Sequence, residues 1–206
     1  MRNLIVGTVI MLIFGLGFSA SPTVANPVIY QDGKMIDIVI DSKLTDVQVF
    51  DSLTSQWALG YRYFKETNQD PRHLFQVNGL VHRWNEPESQ ANVYLMGGAS
   101  LQNQVVGGYL GAQADLETRP YYISVATDQF LGGNPLNQTV SRVGFAPYLA
   151  EYDELNTWFI LQATQLSDSS GTSQWILPMV RLFKDNILVE FGTNGQLYSG
   201  TFRVHF

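Results

Sequence analysis

The sequence contains no cysteine. That excludes disulfides, thiolate metal sites and cysteine nucleophiles. Beyond the first 18 residues it contains no apolar run near the ~20 residues that a membrane-crossing helix needs. Basic residues are scarce: 12 Lys and Arg stand against 18 Asp and Glu, for a formal charge of −6. Such a balance gives no footing for a nucleic-acid partner. Histidine is rare as well, with only His73, His82 and His205. No Gly-x-Ser-x-Gly elbow occurs, and His73 with Asp70 across one loop is too little for a metal centre. No catalytic residue, metal ligand set or cofactor is therefore expected. The glycine pairs Gly97-Gly98, Gly107-Gly108 and Gly132-Gly133 precede no helix. They are read as bulges or close strand approaches, not as phosphate cradles.

What is present begins with an export leader. One positive charge at Arg2 precedes a nearly unbroken apolar stretch over 4–18, followed by small and polar residues ending in Thr23-Val24-Ala25. This is the pattern of a secretory signal peptide, with cleavage expected after Ala25. Removing 25 of 206 residues leaves 181, enough for one domain. It also removes one arginine, taking the formal charge from −6 to −7. Residues 26–34 are read as a short N-terminal periplasmic segment and 35–206 as the folded domain.

That domain reads as short segments of alternating polarity separated by turn residues, at period two. The segments fall at 35–41, 47–52, 56–65, 73–84, 91–101, 105–117, 121–130, 140–152, 157–166, 174–183, 187–192 and 198–206. Asn194-Gly195 is a strong hairpin signal before the last of them. Pro147 and Pro178 fall inside segments, where each is expected to mark a bulge or bent strand end. Twelve segments form an even set, as a single-chain bacterial barrel requires, with ten as the alternative. Aromatics crowd the segment ends, among them Trp57, Trp84, Tyr121, Tyr122, Tyr152, Trp158, Trp175 and Phe183. Their rings suit the headgroup level of a membrane.

The last nine residues carry a resemblance. Tyr198, Gly200, Phe202, Val204 and Phe206 alternate with Ser199, Thr201, Arg203 and His205. This resembles the carboxy-terminal signature of Gram-negative outer-membrane β-barrels, which the barrel-assembly machinery reads as an insertion signal. The resemblance implies an all-β, membrane-spanning, antiparallel up-and-down barrel in outer-membrane lipid. It makes Tyr198, Phe202, Val204 and Phe206 the assembly signal. The stretch 79–92 is also similar to segments of uncharacterised proteobacterial barrel proteins found near metal-efflux systems. That similarity implies an envelope complex as a partner.

In such a barrel the polar faces line the lumen. The lining candidates are Arg62, Gln76, Asn78, His82, Tyr94, Gln113, Asp115, Arg142, Tyr148, Arg181, Glu190 and Arg203. The outer loops are too short to fold in as a large plug. The expected function is a narrow pore or passive conduit for small polar solutes. The alternative is a closed structural or accessory barrel associated with an envelope or metal-efflux complex. Lower still rank an envelope lipid-modifying enzyme working through His82 and a soluble periplasmic binding sandwich.

Overall fold

A computed structural model describes residues 26–150 and 154–206. The expected leader and Tyr152 lie outside those residues. Twelve strands follow in chain order: β1 (Lys34–Asp41), β2 (Leu44–Ser52), β3 (Trp57–Glu66), β4 (Arg72–Glu86), β5 (Ser89–Gln102) and β6 (Val105–Thr118), then β7 (Tyr121–Phe130), β8 (Leu136–Phe145), β9 (Asn156–Asp168), β10 (Gly171–Lys184), β11 (Ile187–Thr193) and β12 (Tyr198–His205). Each pairs antiparallel with its neighbours in sequence, and β12 returns to β1 to close the barrel. Twelve strands stand where ten was the alternative, so both described ends sit at one rim, called here the terminal rim.

The two faces are opposite in character. Phe75, Val106, Leu110 and Ile176 point outward, at 71%, 74%, 57% and 56% exposure. Outward apolar residues recur on every strand, whereas the inward positions hold most of the buried charges. A continuous greasy exterior on a closed wall is a lipid-facing surface, and closure gives every strand a hydrogen-bonded neighbour on both sides. Oily residues gathered between two stacked sheets, as a soluble sandwich would have, are not what the chain builds. No helix among the described residues is long and apolar enough to cross a membrane; strands do the crossing.

Aromatics divide by strand parity. Trp57, Trp84, Tyr121, Phe145 and Phe206 stand exposed around the terminal rim, where ring and headgroup meet. Tyr122, Trp158, Trp175 and Phe183, also expected at the headgroup level of one rim or the other, face inward and are buried. Trp158, Trp175 and Tyr122 pack with Ile160, Leu177 and Met179 into an apolar wall inside the barrel.

Several boundaries differ from the sequence reading. β8 starts at Leu136, in the expected loop, and ends at Phe145, so Pro147 lies outside any strand. The expected loop 167–173 shrinks to two residues, because Asp168 already pairs with Gly171. Pro178 makes no bulge: its register with Leu161 is unbroken, and it stands where the ladder to β11 stops at Met179. A missing N–H costs least where a ladder ends. The register instead shifts between Leu80 and His82 on β4. Of the glycine pairs, Gly132 and Gly133 form a turn at φ +79° and +61°, and Gly107 lets the Leu131 carbonyl approach its backbone.

Candidate functional site: the lumen

The lumen is crossed by ion pairs. Arg62 on β3 donates from Nε and Nη2 to Asp46 on the adjacent β2, at 2.9 and 2.8 Å. Its Nη2 also reaches Asp128 on β7, 2.9 Å away and four strands round the barrel. Tyr109 on β6 donates to the other Asp128 oxygen at 2.7 Å. The guanidinium lies over the rings of Phe64 and Phe130, at 5.3 and 5.5 Å. One cation thus joins β2, β3, β6 and β7. Further toward the rim opposite the termini, Arg72 pairs with Glu66 at 3.6 Å and donates to the Asn134 carbonyl.

A second tier lies nearer the terminal rim. Glu190 on β11 receives Arg181 of β10 at 2.5 Å and Arg142 of β8 at 3.5 Å. Arg181 stacks over Tyr122 at 5.1 Å. Arg203 on β12 pairs with Asp37 on β1 at 3.0 Å. Across the lumen, Arg83 donates to Asn92, which donates to Asp115 at 2.7 Å. Every guanidinium in these tiers has a carboxylate or amide acceptor, which is how charge is kept in a low-dielectric interior.

Between the tiers runs a cavity of about 140 Å³. Its wall includes the inward side chains of β1 from Met35 through Asp37 and Val39 to Asp41, and Gln76, Asn78, Gln113 and Arg142 opposite. Six residue steps along β1 span roughly 20 Å, so the cavity is elongated along that strand, and its wall mixes polar side chains with apolar ones such as Met35 and Val39.

Residues 26–33 do not hang free of the barrel. They turn at its terminal rim and enter it, with Asn26, Pro27 and Val28 buried. Asn78 donates from Nδ2 to the Pro27 carbonyl at 2.9 Å. Val28 packs against Met35, Phe50, Ala58 and Tyr94.

Ten of the twelve lining candidates face inward: Arg62, Gln76, Asn78, Tyr94, Gln113, Asp115, Arg142, Arg181, Glu190 and Arg203. Two do not. His82 is exposed on the exterior, its ring tilted against that of Trp84 at 4.2 Å between centroids. The bulge at Val81 reverses the parity of β4, so Arg83 takes the inward position. Tyr148 lies beyond the end of β8, exposed, its hydroxyl bonded to the Leu155 carbonyl and to Thr157. The assembly residues Tyr198, Phe202 and Phe206 face outward.

The sequence reading missed the carboxylates Asp37, Asp46 and Asp128 that hold the arginines. Asp37 alternates with Ile36 and Ile38, and Asp128 with Thr127 and Gln129, so counting parity would have placed the first. Asp46 fell in an expected turn that is strand. Among the described residues no group of three or more His, Cys, Asp or Glu could hold a metal ion.

No family model and no curated protein matches the sequence. Solved structures do resemble the fold. A KdgM porin in complex with disordered oligogalacturonate superposes with a TM-score of 0.52 at 7% identity, covering 84% of this chain and 98% of that one. A second KdgM porin structure gives 0.51 at 8% identity with the same coverage. Identity this low speaks to architecture alone. The closed twelve-stranded wall and its apolar exterior are those of an outer-membrane β-barrel of porin-like fold.

Proposed function

We propose that the barrel is a narrow conduit for small polar solutes. One observation carries the reading: the cavity that follows the inward face of β1 from Met35 to Asp41 and carries the side chains of Asp37, Gln76, Asn78, Gln113 and Arg142 in its wall. Its volume of about 140 Å³ suits small solutes rather than bulky ones. One structural neighbour was solved with an acidic oligosaccharide, oligogalacturonate. Here Arg62, Arg142 and Arg203 in the cavity wall are already paired with Asp46, Asp128, Glu190 and Asp37. No surplus of positive charge faces the path, which favours neutral or cationic solutes over acidic sugars.

Planar bilayers test the reading. Folded protein should give small, discrete conductance steps, and a silent bilayer with folded protein removes it. The ion-paired tiers and the inserted N-terminal segment support a second reading, a closed accessory barrel of an envelope complex. Silence in the bilayer together with a stable partner after crosslinking would favour that one.

A further inference from the structure

We infer that residues 26–33 gate the conduit, as a strap seated in the lumen that withdraws to let solute pass; the inference rests on the conduit reading above. Pro27 forms part of the cavity wall, so the strap borders the path.

The strap has a fixed base and a loosely held arm. At the base, Asp32 N–H donates to the Ser52 carbonyl at 2.8 Å and Ser52 N–H to the Gly33 carbonyl at 2.9 Å. Gly33 N–H closes a turn onto the Tyr30 carbonyl at 3.1 Å, with Asp32 at φ +62°. Beyond that turn the arm is residues 26–29, reaching about 13 Å when extended. Among the described residues, two hydrogen bonds hold it: Asn78 Nδ2 to the Pro27 carbonyl, 2.9 Å, and Ile29 N–H to Ser52 Oγ, 3.1 Å. Wall strands are instead held on each side by ladders of at least six residue pairs.

Opposing terms act on the arm. Burial of Val28 among Phe50, Ala58 and Tyr94 favours the seated state. Asn26 is buried with its Oδ1 unpartnered, which favours the withdrawn one. The balance of a small apolar anchor against an unsatisfied tip makes a two-state element. With residues 1–25 removed as the leader, the arm has a free end and can swing about the Ser52 base.

Single-channel recordings of the full barrel test this. The wild type should open briefly. Deleting residues 26–29 should abolish the closures. Gly33→Ala should prolong openings, because its Cβ would lie 2.6 Å from the Tyr30 ring and 2.8 Å from Ile29 Cδ1. The pair Ile29→Cys and Ser52→Cys, in a chain without other cysteines, should silence the channel when oxidised and restore it when reduced. Heat-modifiable gel migration confirms that each variant is folded. Deleted and tethered forms that conduct like the wild type would overturn the gate and leave the conduit standing. Silence of every folded form, the deletion included, would overturn both.

Discussion

Lys34 and Phe206 exchange both backbone hydrogen bonds: Lys34 N–H reaches the Phe206 carbonyl at 2.7 Å and Phe206 N–H the Lys34 carbonyl at 2.9 Å. This pair extends the β1–β12 seam by one rung at the terminal rim, while the Phe206 ring stays outside, 55% exposed. The residue's backbone closes the wall, and its side chain meets the membrane interface. Phe206→Ser keeps the first role and removes the second. It should slow appearance of the barrel in the outer membrane, measured by pulse-chase fractionation. Refolded protein should keep a nearly unchanged urea midpoint.

Arg62 should be the most sensitive cation of the opposite tier. Arg62→Gln leaves Asp46 and Asp128 buried without their shared counter-ion, at 8% and 15% side-chain exposure. Removing one partner of a buried pair costs about 3–5 kcal/mol. Equilibrium unfolding in detergent reads the loss. The same variant removes the bond that crosses the lumen, so its conductance steps should exceed those of the wild type.

The Arg181–Glu190 pair separates a broken ion pair from a replaced one. Both side chains are fully buried. Glu190→Gln should cost about 3–5 kcal/mol, since Arg181 loses its carboxylate. The double variant Arg181→Met, Glu190→Leu should recover part of that, because an apolar pair of similar volume carries no desolvation penalty, while Arg142 stays without its carboxylate. Urea midpoints of the three proteins give the comparison, and a double variant no better than Glu190→Gln would mean the pair is needed for more than charge balance.

The exterior band has a testable upper edge. Leu161 lies mid-strand in the greasy band, 48% exposed. Toward the rim opposite the termini, Thr127, Thr139, Gln165 and Gln174 form one outward row across β7–β10. Within it Thr127 bonds Thr139 at 3.2 Å and Gln174 bonds Gln165 at 2.7 Å. Leu161→Arg should cost about 2–4 kcal/mol in a bilayer, and Thr127→Arg about 0–1 kcal/mol. Folding titrations in lipid vesicles measure both, and equal costs would misplace the band.

Gly60 tests the packing of the terminal half. A Cβ there would run into the Phe50 ring. Gly60→Ala should destabilise by about 1–3 kcal/mol through overpacking. Adding Phe50→Leu should return part of the loss, read as the thermal midpoint in detergent.

Architecture was legible in the amino-acid order because alternation is local. Residues such as Phe75 and Gln76, or Arg181 and Leu182, take opposite faces whatever the rest of the chain does. The count of twelve strands, the outward greasy face and the inward position of Arg62, Gln113 and Glu190 all follow from that period. Features that depend on distant partners were not legible. The bulge at Val81 arises from register between β4 and β5 and turns His82 out and Arg83 in. The start of β8 at Leu136 depends on its pairing with Phe130. Asp128 meets Arg62 only because closure brings β3 and β7 across one lumen, 66 residues apart in the chain. The burial of Asn26 to Val28 likewise needs an enclosed interior to enter, and an interior exists only once β12 has joined β1. Sequence order sets which side of a ribbon a residue takes wherever the ladder is regular; register decides it at a bulge, and ring closure sets what each residue touches there.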